Sequence, residues 1–215
     1  MLKATFLKRF TSVLLAVILV LSCAVLFAGC GDSKDKDKNG IPDDLTAYGY
    51  DKDGHATGYY KNDYDDEGNC IKNASYDTKG NLLGYTMYEF DENGNETKKI
   101  YYGKDEKVKG SAEIVYDEYN RIQKYSNLNE KGEVNNYVVY EYNPIGLESR
   151  VYRYNGDDTL KSYTEYEYGS QKECTKMTEY TGAGEIKYYV IYKTDEAGNE
   201  ISYKYDAEGN LIEKK

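Results

Sequence analysis

The sequence predicts an all-β protein: an extended antiparallel meander of hairpins, two strands to each 26-residue repeat, forming a thin twisted sheet or strip that stays open or curls. Three observations predict it. The phrase "YDDEGN" at Tyr64 returns as "YDTKGN" at Tyr76, "FDENGN" at Phe90, "TDEAGN" at Thr194 and "YDAEGN" at Tyr205. The segments between these phrases are of strand length, rich in Tyr and β-branched residues, and show no helical period. All 27 tyrosines follow residue 29, whereas Phe90 is the one phenylalanine there, which suits a half-wet sheet and not a thick core.

Residues 1–29 lie outside that pattern. Lys3, Lys8 and Arg9 precede an apolar run that ends at Gly29, the layout of a secretory signal. The end of the run, "FAGC" at Phe27–Cys30, resembles the lipobox of bacterial lipoproteins. The resemblance implies cleavage before Cys30, lipid on its thiol, and an extracytoplasmic chain anchored to the bacterial cell membrane. The alternative is an uncleaved transmembrane anchor. Without residues 1–29 the formal charge moves from −10 to −13, because three cations and no acids leave. That balance argues against nucleic acid as a partner.

Residues 30–47 read as a polar linker. Within it Asp35, Asp37, Asn39, the Ile41 carbonyl and Asp43, with Gly40 at the turn, resemble the calcium loop of thrombospondin type 3 repeats. Alternate oxygen ligands around a glycine suit Ca²⁺. The twelfth position is Thr46 and not an acid, and a solvated spacer is the competing reading. No other cofactor is implied.

Residues 48–215 form the repeat domain. Gly54, Gly80, Glu106, Gly132, Asp158 and Gly184 lie on one 26-residue lattice; Gly68, Gly94, Asn120, Gly146, Lys172 and Gly198 lie on a second. The lattices interleave in steps of 14 and 12, and only the step from Gly198 to Gly209 is one residue short. An Asp that opens a turn and a residue three further on at φ > 0 describe a type I turn closed by a G1 bulge. Asn120 and Asp158 tolerate that conformation; Glu106 and Lys172 are strained by it. The recurring Y-D-x-x-G-N resembles the YD repeat of the Rhs family, which implies hairpins wound into a strip or shell. Rhs proteins carry many more repeats, so this chain is too short to enclose cargo. The pairs Tyr59-Tyr60, Tyr101-Tyr102 and Tyr188-Tyr189 also resemble Tyr-rich glucan- and choline-binding repeats, which rely on Trp; this chain has none.

Counting outward from the loops places Tyr88 opposite Lys98, Tyr140 opposite Arg150 and Tyr166 opposite Lys176, a candidate ligand face of aromatic and cationic columns. The other face then carries Asp63, Glu89, Glu141 and Glu167 beside Tyr59, Tyr85, Tyr137, Tyr163 and Tyr189. Cys70 and Cys174 are four periods apart, roughly 38 Å along an open sheet, beyond the ~7 Å reach of a disulfide. No nucleophile–base pair, phosphate loop or tuned carboxylate dyad stands out, and His55 reads as a turn residue, so catalysis is not expected. The functions left are binding or scaffolding of a surface protein, carbohydrate or cell-wall binding through Tyr ladders, and a structural spacer.

Overall fold

The computed structural model describes residues 47–195 and 198–215. The signal, the Cys30 site and the proposed calcium loop lie outside them. Fourteen antiparallel strands form one sheet in strict chain order: β1 (Ala47–Tyr50), β2 (Ala56–Tyr64), β3 (Cys70–Asp77), β4 (Leu82–Phe90), β5 (Glu96–Gly103), β6 (Val108–Tyr116), β7 (Ile122–Leu128), β8 (Val134–Tyr142), β9 (Glu148–Asn155), β10 (Leu160–Tyr168), β11 (Cys174–Thr181), β12 (Ile186–Thr194), β13 (Glu200–Asp206) and β14 (Leu211–Lys214). The expected open meander is what the strand order shows. Among the described residues no helix or second sheet covers either face.

Each of the thirteen loops closes in the same way. In the loop that begins at Asp91, its N–H donates to the Asn95 carbonyl (2.9 Å) and the Gly94 N–H donates back to the Asp91 carbonyl (3.0 Å). The fourth loop residue always has positive φ, from 58° at Glu106 to 89° at Gly68, and Lys172 stands at 66°. The repeated glycine is thereby explained. So is the Asn after it: the Asp91 carboxylate accepts from the backbone of Asn93 (2.9 Å) and Asn95 (2.8 Å), while the Asn95 amide donates to its second oxygen (2.9 Å). Asp65–Asn69, Asp77–Asn81 and Asp206–Asn210 repeat the clamp. At Asp117 the Arg121 guanidinium replaces the amide (2.8 Å).

Beyond the loop the register departs from the simple count. Phe90 faces Glu96, but Glu89 faces Lys98, so Thr97 is an unpaired bulge residue. Ile71, Gln123, Ser149 and Thr175 are the equivalent extra residues in their hairpins. Between β12 and β13 there is none: Thr194 faces Glu200 and Lys193 faces Ile201. This is the hairpin whose lattice step is one residue short. The missing residue is the bulge.

Candidate binding surface

A bulge shifts the alternation of every side chain after it. The expected pairs are therefore corrected: Tyr88 faces Lys99, Tyr140 faces Val151 and Tyr166 faces Met177, while Lys98, Arg150 and Lys176 face Glu89, Glu141 and Glu167. The six residues expected to share one ligand face divide between two. The cations stand among carboxylates, where Lys176 meets Glu167 at 3.0 Å, Arg150 meets Glu165 at 2.8 Å and Lys98 meets Glu113 at 3.4 Å.

The face with Tyr88, Tyr140 and Tyr166 is the covered one. It carries Ala112, Ile114, Val151 and Val190, four of the five buried apolar residues among those described. A single layer buries them by arching long side chains across a strand. The Tyr125 hydroxyl on β7 and the Tyr101 hydroxyl on β5 interact across β6, with fully buried Ala112 between them. The Arg153 guanidinium on β9 donates to the Thr164 hydroxyl on β10 (2.7 Å), which donates to Glu179 on β11 (2.6 Å); Thr164 is 1% exposed. Burial pushes up the Tyr140 and Tyr166 hydroxyl pKa values and lifts the Tyr192 hydroxyl to about 12. It also raises the Cys174 thiol to about 11, and both Cys70 and Cys174 are free thiols.

At one rim of this face tyrosines latch the bulges. The hydroxyls of Tyr116, Tyr142 and Tyr168 donate to the carbonyls of Glu96 (2.9 Å), Ile122 (2.7 Å) and Glu148 (2.7 Å), each the residue just before a bulge.

The opposite face carries Tyr59, Tyr85, Tyr137, Tyr163 and Tyr189 and is built from stacked tyrosines. Each has a cross-strand ring partner: Tyr76, Tyr102, Tyr154, Tyr180 and Tyr205, at centroid distances of 4.4–5.1 Å and within 14° of parallel. In three pairs an ammonium covers the outer ring face: Lys72 over Tyr85, Lys124 over Tyr137 and Lys176 over Tyr189. These triads recur every 52 residues, which is two repeats. The residue opposite each cation explains the doubling. Met87, Val139 and Ile191 face Lys72, Lys124 and Lys176, whereas Glu113 and Glu165 face Lys98 and Arg150. An apolar opposite leaves Lys72 and Lys124 over a ring and Lys176 between a ring and Glu167, whereas Glu113 and Glu165 draw Lys98 and Arg150 into ion pairs. A sequence count at 26 residues misses this, although the column Met87, Glu113, Val139, Glu165, Ile191 displays it.

Such a surface has little flat ring area to offer. Each of the ten stacked rings has one face on its partner, and Lys72, Lys124 and Lys176 cover a second face on three of them. The surface can donate and accept hydrogen bonds and make small apolar contacts. Among the described residues no cluster of three His, Cys, Asp or Glu side chains could hold a metal.

No family model matches this chain, and no curated protein matches it. Solved structures do. The TcdB2–TccC3 crystal structure is 10% identical, with TM-score 0.39, over 78% of this chain and 12% of that one. The Photorhabdus luminescens Tc holotoxin pore, containing a mutated TccC3, is 17% identical, with TM-score 0.36, over 85% and 10%. The TcdB2–TccC3–Cdc42 crystal structure is 11% identical, with TM-score 0.33, over 75% and 12%. This chain therefore matches about a tenth of the length of each. The strand pairing above stands independently of these likenesses.

Proposed function

We propose that residues 48–215 are a YD-type, Rhs-like hairpin repeat module that binds or scaffolds a protein partner through its stacked-tyrosine face. A lipid on Cys30 holds the module to the outside of the bacterial cell membrane, and residues 30–47 space it from the bilayer. The module performs no reaction of its own, and its mature charge of −13 disfavours nucleic acid. One observation carries the preference for protein over glycan. Sugar rings stack on open aromatic faces, and here one face of each stacked ring is taken by its partner ring, and the second face of Tyr85, Tyr137 and Tyr189 by an ammonium group. Tyr edges and hydroxyls beside small apolar and paired charged groups are the composition of a protein interface.

The test is capture from surface extracts by the wild-type protein and by Tyr137→Ala/Tyr154→Ala. Loss of one captured protein in the variant supports the reading. A glycan-array signal lost in the same variant would replace it with the carbohydrate reading. Binding untouched by the variant leaves the spacer role. The anchor has its own test: Cys30→Ala should leave uncleaved precursor or release the protein into the medium. Calcium is tested by calorimetry on residues 30–60, where heat that vanishes in Asp35→Ala/Asp37→Ala is the supporting result.

A further inference from the structure

The middle row of the stacked face, taken two strands at a time, alternates in character. Met87 with Ile100 (β4/β5), Val139 with Tyr152 (β8/β9) and Ile191 with Tyr203 (β12/β13) are apolar couples. Between them, Glu113 with Ser126 (β6/β7) and Glu165 with Thr178 (β10/β11) are polar couples, ion-paired to Lys98 and Arg150. The apolar couples recur every four strands, roughly 19 Å at ~4.8 Å a strand. The row is also symmetric about its centre. A half-turn about an axis along the strands at β8/β9 carries β4/β5 onto β12/β13 and β6/β7 onto β10/β11.

We propose that the stacked face pairs with the same face of a second copy of this chain, on that axis. This rests on the stacked face being the binding face and names its partner. Such an isologous contact sets the Val139–Tyr152 couple against itself and Met87–Ile100 against Ile191–Tyr203. Glu113 then lies opposite Thr178, and Ser126 opposite Glu165. No other partner shares the four-strand pitch by construction.

Charge allows this face and opposes the others. The thirteen five-residue loops carry 22 acidic and 7 basic residues, so both rims of the sheet repel a second copy. The stacked face balances eight cations, at Lys61, Lys72, Lys98, Lys124, Arg150, Lys176, Lys193 and Lys214, against six acids. Its area is sufficient. Fourteen strands of about eight residues give a face of ~62 by ~26 Å, on the order of 1,600 Å² per copy, against the roughly 800 Å² per partner of a standard interface. The edge strands make a poorer contact. β14 is a four-residue stub whose exposed Glu213 and Lys214 blunt it.

The experiment is light scattering, corrected for the micelle, on the full-length protein in detergent across a dilution series. The expected mass is two chains, falling to one on dilution. Val139→Asp should raise the dissociation constant by about tenfold or more, while the exposed loop variant Ile145→Asp leaves it unchanged. Because Val139→Asp could unfold the sheet, a second arm uses Val139→Cys in a Cys70→Ser/Cys174→Ser background with a short bismaleimide. The two copies should cross-link through Cys at 139, and not when the Cys replaces Ile145. A one-chain mass at every concentration overturns the proposal, as does a dimer weakened by Ile212→Asp but not by Val139→Asp, which would mean edge pairing. Protein capture that persists with a monomeric chain would sink the second copy as partner while sparing the stacked face as binding surface.

Discussion

Tyr168 donates its hydroxyl to the Glu148 carbonyl, 20 residues earlier in the chain, across 2.7 Å. Glu148 is the last paired residue before a bulge, where the ladder is interrupted. The latch supplies a donor to a carbonyl on the covered face, so its loss leaves a half-buried polar group without that partner. Tyr168→Phe should cost about 1 kcal/mol in denaturant unfolding, from the usual net value of one such bond. Phe90 holds the equivalent place in β4, so Phe90→Tyr should gain a comparable amount. Equal stability of both variants and wild type would show that water serves those carbonyls as well as the phenol does.

Removing a residue from the middle of a strand normally turns every later side chain to the other face. Deleting Thr97 should not. The β12–β13 hairpin lacks the residue and still pairs its strands in the register that β4–β5 shows beyond the bulge. In the deletion protein, Cys residues placed at Tyr88 and Lys99 should still lie directly opposite and form a disulfide on oxidation. A bridge that forms instead between Cys residues at Tyr88 and Lys98 would mean that the bulge holds the register.

Lys172 sits at φ 66° in a loop where most repeats have glycine. An L-residue in that region costs about 1–2 kcal/mol, and glycine returns about 0.5–1 kcal/mol of chain entropy. Lys172→Gly should therefore stabilise by about 0.5–1 kcal/mol. At Gly94, with φ 78°, Val should cost about 1–2 kcal/mol more than Asn does. Thermal melts of the three variants decide both, and similar values for Val and Asn at position 94 would refute the turn assignment.

The Asp clamps give the fold an acid dependence. Asp65, Asp77, Asp91 and Asp206 are held below the ordinary carboxylate range, chiefly by the Asn side-chain amide four residues on. Their folded pKa values are the lower ones, so the stability they contribute is present above the unfolded value near ~3.9. It is lost as pH falls through the folded value. Asn95→Ala should raise the Asp91 titration midpoint, followed by carbon NMR of the carboxyl, and should move acid unfolding to higher pH. An unmoved midpoint would assign the shift to the backbone donors alone.

The loops were legible because their chemistry is local: an Asp, a glycine three residues later, and the Asn after it sit within one six-residue phrase. The substitutes obeyed as well, since Glu106 and Lys172 adopt the conformation that glycine was repeated to provide. The pairing across each hairpin was not legible. Ile71, Thr97, Gln123, Ser149 and Thr175 are of four different residue types, because a bulge asks only for one extra peptide. The single short step before Gly209 was the sign, readable only beside a hairpin that shows what is missing. The arches over Ala112 and Thr164 join strands two apart, which no count along one hairpin connects.

Strict chain order among fourteen strands has a kinetic consequence. Each hairpin brings together residues no more than about twenty apart, so the loop-closure entropy of every pairing is small and nearly constant. Folding speed in such a chain depends on closing one hairpin and not on how many follow it. A protein lengthened or shortened by whole 26-residue units should refold at almost the same rate while its resistance to denaturant changes with length.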